Sequence, residues 1–390
     1  MRRATSSPAT SSARSTIFLP EELLACDAPS PPLGLIAELT HRCPLQCAYC
    51  SNPLALDPPA SELSTDDWLR VLDEAAALGV LQVHFSGGEP MARRDLEIMV
   101  AHANRAGLYT NIITSGVLLT PERMAALLEA GIDHIQLSFQ DSDAVRADGF
   151  GGYKGGHAKK LAAAALIQGS DLPPTTNFVI HHGNAGHVAA MIALAEDLKA
   201  ERIEIAHVQY YGWGLLNRSS LLPSRAQLDQ VTDLVETARA RLSGRIAIDY
   251  VVPDYYAQRP KACMGGWGQR IINISPSGKG LPCHAAESIR DMVFPSVRET
   301  SLAALWSGSE AFARFRGTDW MPEPCRTCDR REIDWGGCRC QTLALAGDAS
   351  RTDPACSRAP DRELMTGAIA EMATPVTPVP RCLAAVALGA

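Results

Sequence analysis

The chain contains no uninterrupted apolar run of eighteen residues, so no membrane-spanning helix is expected. It has no excess of basic charge either: 36 Lys and Arg stand against 43 Asp and Glu, a net charge of −7. That balance argues against a general nucleic-acid binder, which needs cations to displace phosphate counterions. A clear secretory signal is missing. The apolar patch Ile17-Phe18-Leu19 stops at Pro20, too short for the hydrophobic part of a signal peptide. Without export, the disulfide framework of small secreted domains is a poor explanation for the cysteines. A cytoplasmic location, where thiols stay reduced, is the expectation.

Cysteine itself is plentiful, with 12 in 390 residues. The length suits one large unit with a smaller module. A composition of 46% hydrophobic and 20% charged residues supports an ordinary globular core. Four zones are expected. Residues 1–30 read as a disordered, Arg- and Ser-rich leader. Residues 31–250 alternate strand-like and helix-like segments. Residues 251–358 are rich in Cys, Gly, Pro and Trp, and 359–390 form a tail.

The second zone repeats every 25–35 residues or so, the size of a βα unit. Apolar or alternating runs at 33–39, 82–86, 109–114, 134–139, 175–180 and 202–207 predict six strands. Helical patterns fill 64–78, 96–106, 121–130, 158–168, 188–199 and 225–242. In the first helix Leu69, Leu72 and Ala76 are expected on the inward face, with Ser64, Thr65 or Asp66 as cap. Strands alternating with helices imply a parallel sheet, curled by right-handed crossovers into a partial (β/α)6 TIM-like barrel. Chemistry in such barrels sits where strands end and loops begin.

The loop after the first strand reads Thr40-His41-Arg42-Cys43-Pro44-Leu45-Gln46-Cys47-Ala48-Tyr49-Cys50. Iron–sulfur clusters are held by thiolates, usually four. Three thiolates on one loop leave one iron open for a substrate. Zinc wants a fourth ligand that this loop does not offer, and His41 reads as a surface residue. Two other strand ends carry notable residues: Ser86-Gly87-Gly88-Glu89-Pro90 and Ser138. Glycines there let backbone approach a ligand closely. Asn177 and Gln209 are weaker candidates of the same kind. The aromatic run Tyr210, Tyr211, Trp213 could face a peptide or pack in the core, and His207 and Arg218 are possible acid–base or carboxylate-binding groups.

The third zone holds Cys263, Cys283, Cys325, Cys328, Cys338, Cys340 and Cys356. The tight pairs Cys325-x2-Cys328 and Cys338-x-Cys340 fit zinc ribbons as well as iron–sulfur clusters. Cys26 and Cys382, in the leader and tail, have no spacing to a partner set.

The cysteine loop, with Tyr49 as the aromatic before the last cysteine, resembles the signature of the radical S-adenosylmethionine (SAM) superfamily. The resemblance implies a 4Fe–4S cluster whose open iron chelates SAM and splits it to a 5′-deoxyadenosyl radical. It also implies SAM-binding roles for Tyr49, Gly87, Gly88, Glu89 and Ser138. The later cysteines resemble the SPASM extension of radical SAM peptide maturases. That likeness implies two auxiliary iron–sulfur clusters, one on Cys263, Cys283, Cys338 and Cys340, the other on Cys325, Cys328, Asp334 and Cys356. Asp334 stands where the pattern has a cysteine; otherwise it is a surface carboxylate beside Arg330 and Arg331.

Longer segments, among them 38–45, 207–213, 252–256, 265–268 and 334–340, resemble the family of the pyrroloquinoline quinone (PQQ) biosynthesis protein PqqE. This resemblance implies joining a glutamate to a tyrosine side chain of a precursor peptide, PqqA. A peptide chaperone, PqqD, and a flavodoxin-like reductant are implied partners. Another SPASM maturase, forming thioethers or maturing sulfatases, and a zinc-stabilised peptide-binding scaffold are the competing expectations.

Overall fold

The structure, a computed structural model, describes residues 29–374 and 376–382. Cys26 and most of the expected leader lie outside the described residues. Strands β1 (Gly34–Thr40), β2 (Gln82–Gly87), β3 (Tyr109–Thr114), β4 (His134–Phe139), β5 (Pro174–Ile180) and β6 (Arg202–His207) form where the alternation predicts them. Each pairs in parallel with the next, and helices return the chain between them.

Three further strands were not anticipated. β7 (Ala247–Val251) lies parallel to β6. β8 (Ile271–Ile274) lies parallel to β1 on the other side, and β9 (Gly280–Leu281) pairs antiparallel with β8. Among the described residues the sheet is therefore nine-stranded and open, in the order β7-β6-β5-β4-β3-β2-β1-β8-β9. The short β7 was missed because only Ile248 in it is fully buried. A division at residue 250 cuts this strand, and the cysteine-rich zone supplies β8 and β9 to the same sheet.

Helix Thr65–Leu78 starts where Ser64 and Asp67 form a reciprocal capping box, so Ser64 is the cap. Its buried face is Trp68, Val71, Leu72 and Ala75. The expected stripe through Leu69 and Ala76 is rotated by one position, because the large indole takes the deepest site. Helix Ala144–Gly151 was missed too; its glycines weaken the pattern, and the Asp143 cap on Arg146 N–H supports its start. Residues beyond 358 are not a simple tail. Helix Arg362–Ala370 buries Met365 and Ala368 in a satellite core with Leu222 and Tyr255.

Strand alternation divides the sheet into two chemical faces. Leu35, Ala37, Phe85, Ile135, Leu137, Phe139, Phe178, Ile203 and Ile205 are buried in the main core. The residues between them, Ile36 and Glu38, Gln136 and Ser138, Asn177 and Val179, Glu204 and Ala206, line the concave side. The helix-covered face supplies stability and the concave face is left for polar work.

Trp68, fully buried on the first helix, tests this division. Trp68→Ala is expected to lower unfolding free energy by about 3–5 kcal/mol, read as a lower denaturant midpoint. A loss below about 1 kcal/mol would place the indole outside the core.

Candidate active site

The concave face opens into a cavity of about 390 Å³. Cys43, Cys47 and Cys50 line it together with Tyr49, Gly87, Gly88 and Ser138, so the structure brings the residues of the first constellation into one place. Asn177, Gln209 and His207 also reach its wall.

Backbone-to-backbone docking fixes the cysteine loop. Gly88 N–H donates to the Thr40 carbonyl at 2.6 Å and Glu89 N–H to the Arg42 carbonyl at 2.8 Å. A Cβ on Gly88 would stand 2.5 Å from the Arg42 oxygen and 2.7 Å from the His41 oxygen. Gly87 sits at φ +125, with the Thr40 oxygen 2.4 Å from where its Cβ would be. These glycines border the cavity, yet the close approach they permit is to the cysteine loop. A second clamp comes from the segment after β6. Gly214 N–H donates to the Cys50 carbonyl at 3.1 Å, and a Cβ on Gly212 (φ +53) would collide with the Asn52 carbonyl. Asn217 Nδ2 donates to the Ala48 carbonyl at 2.8 Å.

Several expectations change. Glu89 does not face the cavity. Its fully buried carboxylate accepts from Met91 N–H, Thr114 Oγ1, and both the N–H and Oγ of Ser115, so it joins the ends of β2 and β3. A cofactor-contacting role for its side chain is therefore replaced by a structural one. His41 is 1% exposed, not superficial; its Nδ1 accepts from Asp57 N–H at 2.8 Å. Arg218 points away, to Glu371 and the Tyr255 hydroxyl. Trp213 is fully buried and Tyr210 packs edge-on against Tyr255, so both belong to the core. Tyr211 remains beside the site, edge-on to His284, a cavity-lining residue.

Other residues at the site carry no motif of their own in the sequence. Gln140 Nε2 donates to the Tyr49 hydroxyl at 3.2 Å and lies 3.6 Å from the Cys47 sulfur. The Glu204 carboxylate accepts from Gln136 at 2.6 Å and Asn177 at 2.8 Å, tying three strands across the cavity floor. Buried Lys160 donates to the Ser115 and Ser138 carbonyls at 2.9 and 2.6 Å. Burial lowers its pKa to about 8. Burial also lowers the His207 pKa to about 4, aided by Lys261, so this imidazole is neutral, with Nδ1 unpartnered.

Burial raises the Cys43 and Cys47 thiols to about 12 and about 11, and Cys50 also rises. Three thiols from one loop converge on the wall of this cavity, Cys47 buried and Cys43 and Cys50 partly exposed. This donor set fits a thiolate-ligated cluster with one position left to solvent.

The later cysteines fall into two groups. Cys263 and Cys340 each share sulfur hydrogen bonds with Cys283 and Cys338, which raises the first two thiols and lowers the other two. Cys325, Cys328, Asp334 and Cys356 instead line one recess. Asp334 is 8% exposed, with Arg330 Nε 3.5 Å away. Arg259 donates to Cys356 at 3.1 Å and Arg358 to Cys328 at 3.6 Å, placing positive charge beside these sulfurs. A left-handed turn, Trp335-Gly336-Gly337 with φ of 50, 73 and 82, separates Asp334 from Cys338 and so directs them to different groups. Arg339, 1% exposed, holds this turn by donating to the Ala349 and Arg351 carbonyls at 2.8 Å and to Gly336, while stacking on Trp320. Among the described residues no group of three or more Cys, His, Asp or Glu is arranged to hold a single metal ion.

Comparison with known proteins agrees with this geometry. Residues 37–195 match the radical SAM superfamily model, and residues 263–329 match the SPASM iron–sulfur cluster-binding domain. Streptococcus suis SuiB bound to S-adenosylmethionine shares the fold at TM-score 0.69 and 19% identity, over 83% of this chain and 76% of that one. The AdoMet-bound structure of anSMEcpe does so at TM-score 0.61 and 15% identity, over 87% and 96%. Fold, cysteine loop and cysteine-rich extension thus define a radical SAM enzyme with a SPASM extension, using a SAM-binding 4Fe–4S cluster and auxiliary iron–sulfur clusters. The chain is 62% identical over 339 residues to the PqqA peptide cyclase of Granulibacter bethesdensis, covering 87% of this chain and 91% of the relative. It is 59% identical to that of Gluconobacter oxydans, covering 87% and 95%. It belongs to the PqqA peptide cyclase family.

Gly88→Ala is expected to push the Arg42 carbonyl away and unseat the cysteine loop. Anaerobically reconstituted protein should lose roughly four iron per chain, one cluster's worth, while far-ultraviolet circular dichroism stays unchanged. Full iron content in this variant would contradict the docking role.

Proposed function

We propose that the chain cyclises the peptide PqqA by joining a glutamate side-chain carbon to a tyrosine ring carbon, in the biosynthesis of PQQ. The carrying observation is the single cavity where the three-cysteine loop and the Glu204–Gln136–Asn177 array face each other, within a chain 62% identical to a PqqA peptide cyclase. With Cys43, Cys47 and Cys50 holding one cluster and the two later groups holding others, the bound groups would supply one-electron chemistry: reductive SAM cleavage and acceptance of the electron left after ring coupling. Overall, one hydrogen atom goes to 5′-deoxyadenosine, and a proton and an electron leave as the ring rearomatises. The residues of the chain enclose and orient. Gln140 fixes Tyr49 beside Cys47, and Ser138 and Asn177 present polar groups at mid-wall. His284, next in sequence to Cys283, lines the cavity, which supports an auxiliary group on the Cys283 side of it.

The same reading gives the chain two partners and a compartment. A chaperone of the PqqD kind presents the peptide, a flavodoxin-like reductant delivers electrons, and a cytoplasmic location keeps the thiols reduced. Incubation with SAM, reductant, PqqA and PqqD should yield a peptide about two hydrogen masses lighter by mass spectrometry. An unchanged peptide, in preparations that still cleave SAM, would reject PqqA cyclisation. A thioether-forming or sulfatase-maturing activity would show instead as modification of those substrates.

Asp334 is proposed as a cluster ligand on the strength of its burial and its recess. Carboxylate is a harder donor than thiolate, so Asp334→Ala and Asp334→Cys should both change the spectrum of the auxiliary cluster, and Asp334→Ala should reduce its occupancy. Identical iron content and spectra in both variants would make Asp334 a partner of Arg330 alone.

A further inference from the structure

Residues 376–382 run back across the molecule to the cavity. Ser220 Oγ donates to the Val376 carbonyl. Asn217 clasps Val379, donating to its carbonyl at 2.8 Å and accepting its N–H at 2.7 Å. The Arg381 N–H then donates to the Gln46 carbonyl at 3.2 Å, inside the cysteine loop. Because Asn217 also holds Ala48, one fully buried amide ties this strap and the loop together.

The strap delivers a cation. Arg381 is 3% exposed, donates to the His41 carbonyl, lies 5.8 Å over the Trp213 ring, and forms part of the cavity wall. Among the described residues lining the cavity it is the one Lys or Arg, whereas Glu38 and Glu204 supply negative charge. Its Nε is buried without a partner, while the rest of the guanidinium is engaged by the His41 carbonyl and the Cys50 thiol. A buried charged donor left unsatisfied is destabilising, and a ligand anion that accepts from it removes the cost. Lys160 does not line the cavity, and two of its three N–H donors go to the Ser115 and Ser138 carbonyls.

We propose that Arg381, carried in by the C-terminal strap, binds the methionyl carboxylate of S-adenosylmethionine. This rests on the radical SAM reading of the same cavity. The free Nε–H offers a carboxylate one charge-assisted hydrogen bond, and the adjacent Nη2, one of whose hydrogens goes to the His41 carbonyl, keeps a second N–H for the other oxygen. SAM is the carboxylate ligand that the three-cysteine loop requires beside it. The strap therefore completes the SAM site from the far end of the chain.

The test uses anaerobically reconstituted full-length protein. Iron per chain and the dissociation constant for SAM are measured for wild type, Arg381→Gln and Arg381→Lys, the latter quantity by equilibrium dialysis and by the change in the cluster's electron paramagnetic resonance spectrum. With iron retained, Arg381→Gln should weaken SAM binding roughly tenfold or more, the worth of one charge-assisted hydrogen bond. Arg381→Lys should recover part of that loss. SAM affinity within twofold of wild type in Arg381→Gln would overturn the proposal. Loss of iron in that variant would also overturn it, making Arg381 a clip for the cysteine loop. Failure of the wild type itself to bind SAM would instead strike the radical SAM reading.

Discussion

The active site depends on one close approach, the pressing of the Gly87-Gly88 backbone against the carbonyls of Thr40, His41 and Arg42. Two residues without Cβ atoms let the end of β2 hydrogen-bond to the start of the cysteine loop, and the spacing leaves no room for a side chain. Everything the loop presents follows from that contact. Gly212 and Gly214 repeat the device on the other side, so a loop with little regular structure is gripped by glycine backbone from two directions. Glu89 then secures the grip, because three of its four hydrogen bonds bind the β2 end to the end of β3. The rigidity comes from main-chain geometry, which suits a site that must hold reactive species in a fixed orientation.

The polar floor has an equally simple origin. A parallel strand buried on both sides is usually apolar throughout. Here the alternate positions of β4, β5 and β6 include Gln136, Asn177 and Glu204, and the two amides donate to the Glu204 carboxylate across the strands. Their mutual hydrogen bonds offset the cost of placing amides and a carboxylate in a recess. The cavity is consequently preorganised and polar before any ligand arrives.

Much of this was legible in the sequence, and the exceptions have physical causes. Strands β1 to β6 are readable as short apolar or alternating runs, and the cysteine loop because three thiols at short spacing have few other uses. The separation of the later cysteines into two groups followed from family likeness, and the left-handed turn at Trp335-Gly336-Gly337 supplies the geometry that keeps them apart. The burial of Glu89 leaves no trace in the sequence, because an acidic residue at a strand end looks the same whether it faces a ligand or four hydroxyl and amide donors. His41 and Arg218 were misplaced for a similar reason: burial of a polar side chain depends on partners distant in sequence, here Asp57, Tyr255 and Glu371. Arg381 lies about 330 residues from the cysteines it approaches, beyond the reach of any local pattern.

β8 carries a consequence for how the molecule is made. It seals the free edge of β1, the strand that leads into the cysteine loop, but it lies at Ile271–Ile274. During synthesis from the N-terminus, β1 to β7 can assemble while that edge is still unpaired, an exposed row of hydrogen-bonding groups of the kind that recruits other chains. The nascent enzyme thus passes through an interval in which its metal-binding loop hangs beside an adhesive border. Only emergence of the cysteine-rich segment, which carries β8, covers that border.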